Sequence, residues 1–394
     1  MAMGTTARRL ESYVEGAWRR GDGEGQPVLN AATGNVHALI GTEGLDFKAA
    51  LAWGRAKGGP ALRAMTIHER ALMLKAVGLK LMELKEEFYL ENFATGATRR
   101  DGWIDIEGGI GTMLTFASKA RRELPNTKVL TEGPVEVLSR DGSFVAQHIL
   151  SPFIGVAVHI NAYNFPVWGM LEKIAPSLIA GMPCIVKPAS QTAYLTELVV
   201  RRMLETGLLP EGALQIVTGS AGDLLDHVDE QDVVTFTGSA STGRMLRTHK
   251  AIVGNSTRFS MEADSLNSCV LGADAEPGTP EFDLFVKEVA REMTAKAGQK
   301  CTAIRRAFVP RGQVDAVIEA LRARLSKTAV GLPADEGTRM GALASQDQRE
   351  EVRARIADLA ADGEIVAGDP DNPVVASGDA AVGAFLNPVL LPCA

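Results

Sequence analysis

Cys301 is the residue whose setting points most clearly to chemistry. It lies in the segment GQKCTA, residues 298–303, after a helix-patterned stretch and just before the apolar run 307–310. A thiol in this position can be presented at a cleft, which favours a nucleophile, although a free cysteine is most often a small buried hydrophobe. A reactive thiolate also needs a general base, hydrogen-bond donors for an oxyanion and an electron acceptor.

The other three cysteines, Cys184, Cys269 and Cys393, are widely spaced and form no CxxC pair. This spacing disfavours both a zinc site and a disulfide framework, so we expect no metal site. Cys184 and Cys269 lie in apolar runs of strand type, which predicts buried thiols.

The composition indicates a globular protein that acts on small molecules. The chain has 394 residues, 46% of them hydrophobic, and is long enough for about two or three domains. Its 41 Lys and Arg residues and 48 Asp and Glu residues give a net charge of -7 without charged blocks, which indicates no surface for nucleic acid or a membrane. The start lacks the apolar core of a signal peptide, and no apolar run approaches about 18 residues, so we expect a cytoplasmic location.

Short apolar runs alternate with helical segments in the middle of the chain. The runs at 156–160, 184–187, 214–217, 233–236 and 259–261 predict strands of a parallel sheet with helices on both faces. Ligands of such sheets bind beyond the carboxyl ends of the strands. The polar residues expected there are Asn161, Asn164, Lys187, Ser190, Thr237, Gly238, Ser239 and Glu262.

The segments on either side follow other patterns. The first 130 residues are expected to be mostly helical, with a long helix beginning at the capping-box spacing of Thr66 and Glu69. Asp141-Gly142 lies between two alternating apolar runs and predicts a hairpin that projects from the body. After Cys301, amphipathic helices are expected at 314–327 and 348–361, as part of a second domain that stops in mid-domain at residue 394.

Five segments occur in the same order as in a known family: NAYNFP at 161–166, KPAS at 187–190, FTGSASTG at 236–243, MEA at 261–263 and GQKC at 298–301. Together they resemble the aldehyde dehydrogenase superfamily over nearly the whole chain. The segment EADSLN at 262–267 departs from the common Glu-Leu-Gly-Gly-Lys pattern. It and the sequence around Asn164 resemble the branch of semialdehyde dehydrogenases that act on CoA thioesters in aerobic degradation of aromatic compounds such as benzoate and phenylacetate.

The resemblance implies catalytic roles for three residues. Cys301 is the nucleophile that attacks an aldehyde carbon and then carries an acyl thioester. Glu262 is the general base that activates water for thioester hydrolysis. The Asn164 side chain and the Cys301 backbone N–H stabilise the oxyanion. Without the resemblance, Glu262 would be a solvated carboxylate and Asn164 an ordinary turn residue.

The resemblance also implies a nicotinamide cofactor. Lys187 corresponds to a lysine that holds the adenosine ribose, and Ser190 stands where many NAD-preferring relatives have glutamate. A neutral Ser190 beside a cationic lysine favours NADP, with NAD still possible. Thr237, Gly238, Ser239 and Thr242, at the start of a helix, are expected to hold phosphate, and Asn161 also belongs to this site. The alternative is a plain strand-to-helix turn beside a solvated lysine.

The fold implied is α/β, with a Rossmann-like cofactor domain at 1–133 and 152–265, an oligomerisation hairpin at 134–151 and a catalytic domain at 266–394. Family members usually continue for about a hundred more residues, so the catalytic domain is expected to be incomplete. The hairpin implies a homo-oligomer such as a dimer. Two other functions stay open at this point: a CoA-acylating aldehyde dehydrogenase, which generally lacks the glutamate, and an inactive oligomeric binding protein that has kept the fold.

Overall fold

The computed structural model describes residues 7–361 and 363–393. Its strands are β1 Arg8–Arg9, β2 Ser12–Val14, β3 Ala17–Arg19, β4 Gln26–Leu29, β5 Val36–Ile40, β6 Leu130–Val137, β7 Val145–Leu150, β8 Ala157–Ile160, β9 Cys184–Lys187, β10 Leu214–Ile216, β11 Val233–Gly238, β12 Arg258–Ala263, β13 Asn267–Val270 and β14 Ile304–Phe308. Its α-helices are α1 Phe47–Trp53, α2 Gly59–Ala64, α3 Ile67–Glu83, α4 Lys85–Asn92, α5 Arg99–Glu123, α6 Trp168–Ile179, α7 Ala193–Glu205, α8 Ala240–Arg247, α9 Lys250–Gly254, α10 Pro280–Thr294, α11 Val314–Leu325 and α12 Gln346–Ala360.

The main sheet of the described residues has the strand order β12-β11-β8-β9-β10-β2-β3. The strands from β12 to β10 are parallel, and β2 and β3 extend the sheet antiparallel to their neighbours. All five strands expected from the apolar runs are present, and the predicted α/β fold with a parallel sheet is confirmed.

Both faces of this sheet are covered. Ala157 of β8 belongs to an apolar cluster with α3, α5, α6 and α7, whereas its neighbour Val158 belongs to a second cluster with α1. Successive side chains of a strand point to opposite faces, so a strand buried on both sides reads as a continuous apolar run. This explains why the central strands were visible in the sequence.

The expectation of a mostly helical first segment is wrong for its beginning. Strands β1 to β5 fill residues 8–40, and helices dominate only from Phe47 onward. These strands have two to five residues each, too few to show a clear alternation, and β2 is fixed by pairing Tyr13 with the distant Ile216. The capping box at Thr66 and Glu69 is present and starts α3 as predicted.

The predicted hairpin is formed by β6 and β7, an antiparallel pair on either side of Asp141 and Gly142. Its first strand begins at Leu130, before the expected boundary at 134, because Gly133-Pro134 is accommodated at an irregularity in the register instead of ending the strand. Val137 and Ile149 are 64% and 59% exposed. Pairing of this hairpin with another subunit stays a prediction, as do the domain boundaries.

The segment after β12 forms a smaller unit. Strands β13 and β14 pair in parallel, and α10 and α11 share a separate apolar cluster that includes Phe285 and Leu321. Helices α11 and α12 agree with the expected ranges to within a few residues. Cys184 is buried as predicted, and Cys269 is half-buried. Within the described part of the chain, none of the helices combines the length and apolar composition that crossing a bilayer requires.

Candidate active site

Cys301 lies in a turn between α10 and β14. Helix α10 ends at Thr294, and Lys296 and Ala297 then adopt left-handed backbone with φ angles of 51° and 52°. Gly298 follows with φ of 72°. A left-handed non-glycine residue costs about 1–2 kcal/mol, so surrounding contacts must hold this turn. The turn leaves Cys301 exposed.

The backbone carbonyl of Cys301 accepts hydrogen bonds from the segment after β12. Ser265 Oγ donates to it, and Asn267 Nδ2 donates to it at 2.5 Å and to the Ala303 carbonyl at 3.2 Å. Asp264 has a φ of 51°, a conformation that aspartate tolerates better than most residues. This is the segment that departs from the Glu-Leu-Gly-Gly-Lys pattern, and its polar residues hold the Cys301 turn.

Glu262 lies near the end of β12, paired in register with Thr237 of β11. The Thr237 hydroxyl donates to Glu262 Oε2 at 3.5 Å. Partial burial raises the pKa of the Cys301 thiol, and the negative charge of Glu262 raises it further. The two residues are therefore close enough to interact, and the Cys301 thiol is protonated at neutral pH.

Asn164 lies in the loop between β8 and α6. Its Nδ2 donates to the Gln299 carbonyl at 3.0 Å, and the ammonium of Lys296 donates to its backbone carbonyl. An amide nitrogen carries two hydrogens, so one is left for an oxyanion. Because Gln299 belongs to the same turn as Cys301, these contacts bring Asn164 and Cys301 together.

Lys296, Gln299 and Asp105 contribute to this arrangement, although the sequence pattern does not single them out. Gln299 uses Nε2 to bond the Lys296 carbonyl and Oε1 to accept from the Ala344 amide, both at 3.0 Å. Lys296 is 6% exposed and Asp105 is fully buried. The available signal was a charged residue between two isoleucines at 104 and 106, which predicts a buried and therefore paired carboxylate.

Lys187 and Asn161 lie side by side at the ends of β9 and β8. The backbone amide of Asn161 donates to the backbone carbonyl of Lys187 at 3.0 Å. Lys187 Nζ donates to the Pro188 carbonyl at 2.7 Å, and burial lowers the pKa of this lysine to about 8. The Asn161 side chain is 5% exposed, and neither of its polar atoms has a hydrogen-bond partner among the described residues. Ser190 begins the short 3-10 helix Ser190–Thr192 that follows.

Ser239 caps helix α8 directly after β11. Its Oγ accepts from the Thr242 amide at 3.3 Å and donates to Thr242 Oγ1 at 3.0 Å. Thr237 and Gly238 are the last residues of β11. The free amides of the first turn of α8 therefore lie at the carboxyl edge of the sheet, where they can bind an anion.

The strand order β12-β11-β8-β9 explains how distant segments meet. It sets Glu262, residues 237–239, the loop at 161–164 and Lys187 next to one another along the carboxyl edge. The turn that carries Cys301 joins this edge through the contacts of Lys296 and Gln299 with the Asn164 loop. The predicted catalytic residues and the predicted cofactor residues thus form neighbouring parts of one site.

Comparison with known proteins agrees with this geometry. Residues 18–392 match the model of the aldehyde dehydrogenase family. The chain belongs to the aldehyde dehydrogenase family. It is accordingly an oxidoreductase that acts on aldehyde groups, and the family expected from the five sequence segments is confirmed.

Several family members are similar over most of this chain. A 3,4-dehydroadipyl-CoA semialdehyde dehydrogenase of Aromatoleum evansii is 46% identical over 390 residues, covering 98% of this chain and 75% of the relative. A glutarate-semialdehyde dehydrogenase of Pseudomonas aeruginosa is 27% identical over 389 residues, covering 97% and 75%. The crystal structure of an NADP-dependent enzyme of E. coli is 26% identical and superposes with a TM-score of 0.83, covering 98% of this chain and 76% of that chain.

Proposed function

We propose that this aldehyde dehydrogenase oxidises a semialdehyde carried on CoA, such as 3,4-dehydroadipyl-CoA semialdehyde, to the carboxylic acid with NADP as the electron acceptor. The observation that carries the proposal is the meeting of Cys301, Glu262 and Asn164 at one edge of the sheet. The substrate class is supported by the relative at 46% identity, whose name specifies a CoA-linked semialdehyde.

Cys301 is the nucleophile of the proposed reaction. Its thiol gives its proton to water, the thiolate adds to the aldehyde carbon to form a carbon–sulfur bond, and the carbonyl electrons move to oxygen. The Asn164 amide and the Cys301 backbone N–H are the donors for that oxygen, and one such donor is worth about 3 kcal/mol. A bound oxidised nicotinamide, held by the residues at the ends of β8, β9 and β11, would supply the hydride acceptor that turns the Cys301 adduct into an acyl thioester.

Glu262 is the base for the second half of the reaction. Its carboxylate takes a proton from water, the resulting hydroxide adds to the thioester carbonyl, and the Cys301 thiolate leaves with release of the acid. The hydroxyl of Thr237 donates to Glu262 and so orients the carboxylate. Burial raises the pKa of the Cys301 thiol and the negative charge of Glu262 raises it further, so both effects favour the protonated thiol in the free protein.

The residues at the ends of β8, β9 and β11 fit a dinucleotide. Asn161 presents buried side-chain polar atoms that have no hydrogen-bond partner among the described residues, as a group that binds a ligand would. Lys187 supplies an ammonium beside it, and the first turn of α8 supplies amides for a phosphate. Ser190 adds no negative charge, so a 2'-phosphate near Lys187 meets attraction without repulsion. This arrangement favours NADP over NAD.

A Glu262→Gln variant tests the proposed hydrolytic chemistry. It keeps the size of the side chain but not the base, so it should form reduced cofactor in one burst and then stall as acyl-enzyme, detected by mass spectrometry of the Cys301 peptide. Glu281→Gln, in the first turn of α10, is the matched control. Undiminished steady turnover by Glu262→Gln would refute the base assignment and favour transfer of the acyl group to free CoA.

The substrate class needs a separate comparison. A CoA-linked semialdehyde should have a higher kcat/KM than the same semialdehyde lacking CoA, because contacts with the tail add binding energy away from the reacting carbon. Equal values of kcat/KM for the two compounds would remove CoA from the proposal while leaving the aldehyde chemistry intact.

We also propose that the β6–β7 hairpin pairs subunits into a dimer. Its exposed apolar side chains include Val137 and Ile149, and apolar residues exposed on a projecting hairpin are costly in an isolated chain. Light scattering of a Val137→Lys, Ile149→Lys variant should show a smaller species than the unchanged protein. An unchanged mass would contradict a role for this hairpin in assembly.

A further inference from the structure

A buried ion pair lies beneath the Asn164 loop. Lys296 Nζ is 4.0 Å from Asp105 Oδ2, and the two side chains are 5% and 0% exposed. Burial lowers the pKa of Lys296 and raises that of Asp105, and the attraction between the two opposes both changes. Burying two charges costs several kcal/mol per ion, and apolar replacements are often as stable or more so. A contribution to folding stability alone therefore does not explain why this ion pair is present.

Each member of the pair contacts the loop that carries Asn164. The Lys296 ammonium donates to the Asn164 carbonyl and lies 4.5 Å from the centre of the Phe165 ring. Asp105 Oδ1 accepts from the amides of Val167 and Trp168 at 3.2 and 2.8 Å. The pair thus holds this loop at its middle, through Lys296, and at its C-terminal end, through Asp105.

Lys296 also belongs to the turn that carries Cys301, which closes a ring of hydrogen bonds. The backbone carbonyl of Lys296 accepts from the backbone amide of Gln299 at 3.0 Å, and the backbone carbonyl of Gln299 accepts from Asn164 Nδ2 at 3.0 Å. The backbone carbonyl of Asn164 accepts from the Lys296 ammonium. The left-handed backbone at Lys296 directs its side chain and carbonyl to two members of the same ring. The ring fixes the Asn164 amide relative to Cys301.

Helix α5 can bring Asp105 under the loop because of a glycine. A Cβ atom at Gly109 would lie 2.7 Å from the Cα atom of Trp168, a contact that real Cβ atoms essentially never make. The helix therefore approaches the start of α6 closely enough for Asp105 to reach the Val167 and Trp168 amides.

We propose that Lys296 and Asp105 are positioning residues, which hold the side-chain amide of Asn164 where the oxyanion forms at the Cys301 adduct. This inference rests on the proposed role of Asn164 as oxyanion donor, but not on the identity of the aldehyde or the cofactor. Neither residue touches substrate in this role. They act through the backbone of the Asn164 loop.

Two reactions of Cys301 separate oxyanion placement from thiol reactivity. With p-nitrophenyl acetate the thiolate forms a carbon–sulfur bond and expels p-nitrophenolate through a tetrahedral oxyanion. With iodoacetamide it displaces iodide, and no oxyanion forms. Neither reagent needs an aldehyde, a nicotinamide or CoA. The ratio of the two rate constants therefore reports on the oxyanion donors alone, whatever the physiological substrate is.

The principal variant is Lys296→Met with Asp105→Asn, which removes both charges and leaves neither ion unpaired. Its matched control is Arg55→Met with Asp232→Asn. That pair has the same construction, since Asp232 is buried and accepts the Val156 amide at 2.7 Å, but it lies at the opposite edge of the sheet. Unfolding midpoints establish that each variant is folded.

The acylation-to-alkylation ratio should fall by about tenfold or more in the Lys296 and Asp105 variant, since a misplacement of about 1 Å can cost a hundredfold. It should stay unchanged in the control. In an Asn164→Ala background the same two substitutions should have no further effect on the ratio. An unchanged ratio, or an equal fall in both rates, overturns the proposal.

If the double substitution does not fold, Lys296→Met alone carries the same comparison. It removes the bond to the Asn164 carbonyl, and burial raises the pKa of Asp105, which favours a neutral carboxyl once the lysine is absent. A second outcome is that the unchanged protein fails to turn over CoA-linked semialdehydes while the Lys296 and Asp105 variant still lowers the acylation-to-alkylation ratio. That result would reject the substrate proposal and leave this one standing.

Discussion

The side-chain amide of Asn164 donates to the backbone carbonyl of Gln299 across 3.0 Å, two residues before Cys301. The bond joins the loop after β8 to the turn after α10, segments that are far apart in the chain. It uses one of the two amide hydrogens, so the other is available to an acceptor. The geometry of the proposed oxyanion site therefore depends on a contact between two loops rather than on either loop alone.

Asn164→Ala should lower kcat by a factor on the order of 10²–10³, because it removes an oxyanion donor and the anchor to Gln299. The KM for the aldehyde should change little. Steady-state kinetics measure both. Asn255→Ala is the control, since Asn255 Nδ2 also bonds a backbone carbonyl, that of Val228 at 2.7 Å, at a distance from the site. If kcat fell by the same factor in Asn164→Ala and Asn255→Ala, the role of Asn164 as oxyanion donor would be contradicted.

Glu262→Gln should lower the pKa of the Cys301 thiol. Burial and then the Glu262 charge raise this pKa, so loss of the charge removes the second cause while the first stays. Below the midpoint of the titration, alkylation by iodoacetamide should become faster, and its pH profile should shift to lower pH. Glu172→Gln should give a smaller shift because Glu172 is a weaker cause. A profile that does not move would show that Glu262 and Cys301 do not interact.

The preference for NADP over NAD should decrease as pH rises through about 8. Burial lowers the pKa of Lys187 to about 8, so its ammonium is largely protonated at neutral pH and becomes neutral above that value. The ratio of kcat/KM for NADP to that for NAD isolates this ionisation, since changes at Cys301 cancel. Lys187→Met should remove the pH dependence of the ratio, whereas Lys250→Met on exposed helix α9 should retain it. A constant ratio in the unchanged protein would exclude Lys187 from cofactor selection.

Asn267→Ala should loosen the Cys301 turn. It removes hydrogen bonds to the Cys301 and Ala303 carbonyls, each worth about 1 kcal/mol. We expect a fall in kcat of about tenfold or more from the displaced thiol and a lower unfolding midpoint. Asn372→Ala, which removes an exposed bond to Asp369, should leave both quantities unchanged. Unaltered kcat in Asn267→Ala would mean that Ser265 alone suffices to hold the turn.

The parallel strands and the long helix α3 could be predicted from the sequence because their signals are local. A strand buried on both faces is a continuous apolar run, and a capping box fixes a helix start within four residues. Strands β1 to β5 could not be predicted in this way. They are short, and β2 takes its place only through pairing with β10.

The site shows the same division. Motif residues such as Cys301, Glu262 and Lys187 could be selected in advance, because their types and order carry the family pattern. Lys296 and Asp105 could not, because about half of the chain lies between them and they meet only when both are buried against the Asn164 loop.

The sequence by itself determined the family, the parallel sheet and the candidate reacting groups at the edge of that sheet. Only the tertiary structure decided the pKa of the Cys301 thiol and the contacts that hold this residue in position. The pKa of the thiol depends on burial and on the charge of Glu262 in β12, and the Cys301 carbonyl is held by Ser265 and Asn267. The loop that carries Asn164, the proposed oxyanion donor, contacts the buried pair of Lys296 and Asp105. The reason is physical: residue types and spacing are properties of the chain, whereas desolvation and electrostatic interactions depend on distances that exist only after folding.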